Sequence, residues 1–269
     1  MIAFYAMGGG YGHLVRTQKV ITALKINDYK VITSNPLVAN IFSQDQFELF
    51  EVPTSKEALS EALTLYFKTN RFTTLIVDTF PNGILGELSL VENLPVGLQL
   101  IARRIIWKNY EPLLSYDITF DNAWQVEEFE EAQEQFMMHR CSSILPIHLD
   151  YSCQKPAIKL DDSPNWIIVH SFNKEEVEVL IHQAQDLAEL ESVSPILVVI
   201  TDQDIPEATG LKVIHSSEAN RYFEHATKIF SAAGFNTMQE LMPYQDKHIC
   251  IPFPRKYDDQ FWRKGYMTY

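Results

Sequence analysis

Short β-branched apolar runs alternate with amphipathic stretches along all 269 residues. "IAFYAM" at residues 2–7 reads as a strand, and Leu14, Val20, Ile21 and Leu24 then recur at helical spacing over 13–25. A strand at 30–33 (KVIT), a short helix over 37–43 behind Pro36, a strand at 47–52 and a long helix over 56–68 continue the alternation. "TTLIVDTFPNG" supplies a fourth strand that stops in a Pro-Asn-Gly turn. The spacing further predicts a helix over 84–92, strands at 97–101 and 117–120, and an acidic helix over 127–139.

After Leu149 the pattern lapses in "DYSCQKPAIKLDDSPN", which carries two prolines and no periodicity. It then restarts with "WIIVH" as a strand, a helix over 174–188, and strands in "ILVVIT" and "LKVIH". A short helix over 218–225, a strand in "KIFSA", a helix in "TMQELM" and a strand in "HICIPFP" follow. Such alternation predicts an α/β protein with parallel sheets flanked by helices. The expected organisation is two Rossmann-like domains facing across a cleft: 1–149, a linker at 150–165, and 166–269.

Composition narrows the partners. A net charge of −13 argues against nucleic acid, whose phosphates need a basic footprint. The longest apolar runs fall far short of the roughly 20 residues that span a bilayer, and no basic-then-apolar leader precedes the first strand. Cys141, Cys153 and Cys250 are odd in number and lack CxxC spacing, which fits a reducing cytoplasm and no zinc site. "ARRIIWK" at 102–108 has the ingredients of a peripheral membrane patch, but in an acidic chain the favoured reading is a strand end with a solvated face.

Four of the ten glycines crowd into "FYAMGGGYGHLVRT", at Gly8, Gly9, Gly10 and Gly12, and His13 follows at once. A glycine turn between a first strand and a first helix offers backbone N–H groups to a polar or anionic ligand. The dinucleotide fingerprint is not met. His13 stands where its last glycine belongs, and the second strand ends in Ser34 and Asn35 rather than an acid. No Gly-Lys-Ser/Thr follows for a P-loop. A tight turn with no ligand is the plain alternative. At the start of a helix, facing the cleft, His13 would be held neutral and fit to act as a base.

A second stretch, "KIFSAAGFNTMQELMPYQDKHICIPFPRKYDDQFWRKG" at 228–265, carries a resemblance. Ser231, Ala233, Gly234, Thr237, Glu240 and Leu241, then Ile251, Pro252 and Pro254, then Asp258, Asp259 and Gln260 keep a motif order. Together with the glycine loop, that order resembles the MurG-like GT-B glycosyltransferases, bacterial enzymes that move N-acetylglucosamine from UDP to a lipid-linked acceptor. "VDTFPNGILGEL" at 77–88 looks like a matching segment of related transferases.

The resemblance implies an inverting transfer from a UDP-linked sugar to a glycan or lipid-linked acceptor, with no metal or cofactor. It implies that Gly9, Gly10 and Gly12 form an acceptor or phosphate loop, and that His13 is the base with Asp78 the competing candidate. Gly234, Asn236 and Thr237 would open a helix toward the diphosphate, beside Ser231. Glu240 would hold the ribose, and Asp259 and Gln260 the sugar hydroxyls. Read without the family, Glu240 is a solvated helix residue, Asp78 a turn cap and Asp258 a surface charge. His170, His215 and His225 read as ordinary histidines, and Phe261 and Trp262 as core.

Two departures stand against the family pattern. Its second domain opens with a Gly-Gly-Ser type loop, where this chain has His170, Ser171, Phe172 and Asn173 before Lys174. The family also continues with helices beyond the Asp/Gln turn, whereas this sequence ends at Tyr269. A non-catalytic descendant that binds a nucleotide-sugar or glycan is therefore the alternative, and a hydrolysing sugar-nucleotide epimerase is a third reading.

Overall fold

The computed structural model describes residues 1–267 except 53, 116, 161–163 and 217. The chain forms two compact units: Met1–Asp150 with Lys256–Asp258, and Tyr151–Arg255 with the residues from Asp259 onward.

In the first unit, seven parallel strands take the order β3-β2-β1-β4-β5-β6-β7. They are β1 (Ile2–Tyr5), β2 (Tyr29–Thr33), β3 (Phe47–Leu49), β4 (Thr74–Asp78), β5 (Gly97–Ala102), β6 (Phe120–Gln125) and β7 (Cys141–Pro146). β1 pairs with β2 and β4 in register, Ile2 opposite both Tyr29 and Thr74. Central strands of a parallel sheet are covered on both faces, so they are apolar without alternation. Ala3, Phe4 and Tyr5 on β1, and Leu75, Ile76 and Val77 on β4, are all buried.

The helices follow from one apolar stripe each. In α1 (Gly12–Ala23) the buried positions are Leu14, Arg16, Thr17, Val20 and Ile21. In α2 (Lys56–Thr69), the Ser55 hydroxyl caps the first turn by accepting from Ala58 N–H, and Leu59, Leu63 and Phe67 face the sheet at four-residue spacing. Trp107 and Tyr110 on the short α3 (Trp107–Tyr110) and Phe136 and Met137 on α4 (Glu131–Arg140) join the α2 residues in one buried core.

Several features of this half differ from the expectation, among them the short helix expected over 37–43, which is a 3-10 turn at Pro36–Asn40. The strand expected at 117–120 lies at β6, because its polar Asp121 and Asn122 disguise it; Asn122 Oδ1 accepts from Ser143 Oγ at 2.6 Å on the neighbouring strand. β7 was not anticipated, and the helix expected over 84–92 is one 3-10 turn, Glu87–Leu90. In the "ARRIIWK" segment, Trp107 is buried and Arg103 pairs with Asp258 at 2.5 Å. That segment is packed as a strand end, and Asp258 is an ion-pair partner rather than a free surface charge.

In the second unit five parallel strands take the order β10-β9-β8-β11-β12. They are β8 (Asn165–Val169), β9 (Ile196–Ile200), β10 (Leu211–Ile214), β11 (Lys228–Ser231) and β12 (His248–Cys250). Its helices are α5 (Lys174–Leu190), α6 (Phe235–Leu241) and α7 (Gln260–Met267). α5 buries Val177, Leu180, Ile181, Ala184 and Ala188, a stripe of helical period against β8, β9 and β11. The Asp/Gln turn expected at 258–260 is where α7 begins. On α7 Phe261 is 59% exposed, a correction to its core assignment, while Trp262 stacks on Tyr266 with centroids 4.8 Å apart. The expected linker contributes buried Tyr151 to this unit, and its residues 161–163 lie outside the described residues.

Candidate functional site

In each unit the strand order reverses beside the first strand: between β1 and β4, and between β8 and β11. Open α/β sheets take ligands at the carboxyl ends of the strands that flank such a reversal.

In the first unit that position holds a charged cluster. His13, in the first turn of α1, lies with Nδ1 2.5 Å from Asp78 Oδ2 at the end of β4. Arg16, one helical turn after His13, reaches the same carboxylate through Nε (2.7 Å to Oδ1) and Nη2 (2.6 Å to Oδ2). Asp78 is buried, yet the Arg16 guanidinium and the His13 contact hold its carboxyl well below the ordinary range, so it is ionised. An ionised Asp78 only accepts, so the Nδ1 proton of His13 points at it and Nε2 carries the lone pair. Arg16 Nη2, 3.3 Å from Nδ1, adds positive charge there instead of a hydrogen bond. Burial lowers the imidazole's pKa, Asp78 opposes that shift, and the two arginines Arg16 and Arg103 reinforce it. The net direction is downward, which leaves a neutral imidazole. Burial is its largest cause, rather than the helix end that the sequence suggested.

Backbone geometry makes room for this pair. Gly8 has φ +139°, and a Cβ there would come 2.6 Å from Cδ2 and Nε2 of His13. The missing Cβ of Gly8 is therefore what lets the imidazole lie against the loop. Around Gly9, Gly10 and Gly12 a Cβ would meet nothing within 4 Å, so those three border open space. Asn35, where a dinucleotide fold would put its acid, donates from Nδ2 to the Gly10 carbonyl at 2.6 Å and braces the loop. Thr79, just beyond Asp78, has φ +68° although β-branched, a strained backbone for that side chain. Its hydroxyl accepts from Arg16 Nη2 at 2.7 Å. The turn cap proposed for Asp78 is replaced by these side-chain partners.

The expected donor residues all fall in the second unit, around β11, α6 and α7. Gly234 is the N-cap of α6, with Asn236, Thr237 and Glu240 half-buried along it. Asn236 Oδ1 accepts from Tyr151 Oη at 2.7 Å. Ser231 is fully buried, its Oγ 3.0 Å from the Ala232 carbonyl and 2.8 Å from His248 Nε2. Burial lowers His248 to about 4, so its neutral ring donates and the serine hydroxyl serves the fold. Asp259 Oδ1 accepts from Trp262 N at 3.2 Å, and buried Gln260 accepts from Phe253 N at 3.0 Å. Arg263, fully buried and not singled out in the sequence, donates to the Ala233 carbonyl at 2.6 Å and ties α7 to the β11–α6 loop.

The end of β8 holds what the sequence did not reveal. His170 Nε2 lies 2.6 Å from Glu176 Oε2, and Arg255 binds both oxygens of the same carboxylate, Nη1 at 2.6 Å from Oε1. His170 is a member of this network, beyond the ordinary histidine expected.

No protein-family model and no curated protein matches the chain. Solved structures do. The chain is similar to the glycotransferase of kitacinnamycin at TM-score 0.60 and 14% identity, covering 99% of this chain and 83% of that one. It is similar to UDP-GlcNAc 2-epimerase from Neisseria meningitidis bound to UDP-GlcNAc, at TM-score 0.58 and 10% identity over 90% and 80% of the two chains. The glycosyltransferase SnogD from Streptomyces nogalater aligns at TM-score 0.54 and 12% identity over 90% and 78%. At these identities the likeness is one of fold: two Rossmann-like units of parallel sheet, the GT-B architecture. No helix among the described residues is long and apolar enough to cross a membrane.

Proposed function

We propose that the chain is a nucleotide-sugar-dependent glycosyltransferase with His13 as its base. The observation that carries this reading is the His13–Asp78 contact at the strand reversal of the first unit, where Gly8 leaves room for the imidazole against the loop. A neutral imidazole whose Nδ1–H is fixed on a carboxylate can take a proton at Nε2 from an attacking hydroxyl, and Asp78 then stabilises the imidazolium. Asp78 is not a competing base: its carboxylate is consumed by Arg16 and His13. The proton received at Nε2 stays on the imidazole until it is exchanged with solvent, and the acceptor oxygen bonds to the anomeric carbon as the diphosphate leaves.

The finer terms rest on the sequence resemblance to MurG-like enzymes. They are a UDP-linked donor, a glycan or lipid-linked acceptor, inversion without metal or cofactor, a bacterial source and a cytoplasmic setting. Glu240 for the ribose and Asn236 and Thr237 for the diphosphate belong to the same reading, with the donor's hydroxyls near Asp259 and Gln260.

The alternative, a binder without turnover, is favoured by one observation. The loop after β8 has no glycine, and its helix start carries Glu175 and Glu176. Calorimetric titration of UDP, GDP, TDP and ADP, followed by assay of UDP release from UDP-N-acetylglucosamine, separates the readings. Saturable UDP binding weakened by Glu240→Ala, with release abolished by His13→Ala, supports the transferase. Binding without release at any pH supports the binder. Interconversion of the sugar in place of transfer supports an epimerase, and no nucleotide binding overturns the transferase and the epimerase and leaves only a glycan binder.

A further inference from the structure

The loop between β8 and α5 stands at the strand reversal of the second unit, where a phosphate-binding fold would keep free amides. Here the loop is poorly set for an anion. Asn173 Oδ1 takes the Glu176 N–H at 2.8 Å. Two carboxylates, Glu175 and Glu176, sit in the first turn and oppose an anion at the helix start. The nearest guanidinium, Arg255, is closed in a two-pronged pair with Glu176.

What the loop does present is a ring. Phe172 is 60% exposed, and the Arg255 guanidinium carbon lies 4.1 Å from its centroid, covering one face. Glu176 fixes Arg255, His170 fixes Glu176, and Gln203 Nε2 holds the Ser171 carbonyl at 3.0 Å. The ring is thus clamped before any ligand arrives, so stacking on its open face loses little side-chain freedom. Aromatic stacking on a nucleobase tolerates any base because every base has a π-face, and the flat C–H side of a sugar ring offers the same shape.

We propose that the β8–α5 loop receives a flat, uncharged ring of the ligand on the open face of Phe172, and not its phosphate. The choice of probes rests on the nucleotide-sugar reading; the geometry does not.

The test uses the full chain and its aromatic NMR signals, with the Phe172 ring assigned through Phe172→Leu. Uridine, methyl N-acetyl-β-glucosaminide, UDP and inorganic phosphate are titrated separately. The expected result is a saturable upfield shift of the Phe172 ring with uridine or with the glycoside, which tells base from sugar. Phe172→Leu weakens that probe by about tenfold, Phe172→Tyr keeps most of the affinity, and phosphate leaves the loop unmoved. UDP binding equally to wild type and Phe172→Leu, with the ring unmoved, overturns the stacking site and leaves the nucleotide reading standing. A ring shift from the glycoside alone, without any nucleotide binding, upholds the stacking site and removes the nucleotide reading. Loop amides that move with phosphate, or no response to any probe, overturn the inference.

Discussion

Asp78 Oδ2 lies 2.5 Å from His13 Nδ1, and Arg16 holds both oxygens of the same carboxylate from one turn further along α1. Sixty-five residues separate the two partners in sequence, and parallel pairing of β1 with β4 is what brings their loops together. The relationship gives one carboxylate two tasks: neutralising a buried arginine and fixing a histidine's tautomer.

Those tasks separate on substitution. Asp78→Asn keeps the shape but removes the charge and can present its amide N–H to Nδ1, so the tautomer is no longer fixed; stability falls less than with alanine, while turnover falls by about 100-fold or more. Asp78→Ala strands the guanidinium of Arg16, itself 2% exposed, and costs about 3–5 kcal/mol by urea denaturation. If both variants lose stability equally and keep activity, the catalytic task is absent.

The pH dependence has a definite sign. His13 titrates below its ordinary 6.5 in the folded protein, so the acid limb of kcat/KM for donor turnover has its midpoint below 6.5. The unfolded chain takes up that proton first, so His13's contribution to stability is full above 6.5 and declines as pH falls from there toward the folded pKa. Asp78 is depressed as well, so its contribution is lost separately, beginning as pH drops toward 3.8 and below. Denaturation midpoints measured from pH 8 to pH 3 should fall in those two stages. For His13→Gln the first stage shrinks, the buried His170 and His248, lowered as well, supplying what remains.

Gly8→Ala is expected to be more damaging than alanine at Gly9 or Gly12. Its φ of +139° strains any L-residue, and its Cβ would occupy the space beside Nε2 at 2.6 Å. A loss of about 1–3 kcal/mol from the backbone alone should accompany displacement of the imidazole. Alanine at Gly9 and at Gly12, which border open space, should stay within about 1 kcal/mol of wild type. Thermal melts of the three variants check the ranking.

Thr79→Ala removes the hydroxyl that accepts from Arg16 while leaving the left-handed backbone in place. The expected cost is about 1.5–3 kcal/mol, the range for a hydrogen bond to a charged group. Thr79→Gly loses the same bond but relieves the backbone, so it should be the more stable of the two. The reverse order in chemical denaturation would mean that the strain at Thr79 is not felt.

Much of this was legible before the structure. The alternation of apolar runs and amphipathic stretches carried most strand and helix positions, because buried parallel strands and one-sided helices leave strong periodic signals. β6 and β7 escaped because polar Asp121, Asn122 and Ser143 break their runs, although Asn122 and Ser143 satisfy one another. His13 and Asp78 stood out by residue type beside glycines and at a strand end. Arg16 was accessible in principle, since three residues on a helix return to the same face. The left-handed backbone of Thr79 and the Arg255–Glu176 pair, 79 positions apart, leave no local trace. Phe261 misled because helical spacing tells which residues share a face, not which face is covered.

The most direct measurement is 15N-edited NMR of the His13 imidazole between pH 4 and pH 8, in wild type and Asp78→Asn. The expected result is a neutral ring at pH 7 with its proton on Nδ1 and a bare Nε2, a midpoint below 6.5, and loss of that single tautomer in the variant. A proton on Nε2 at neutral pH, or a midpoint above 6.5, would contradict His13 as the base.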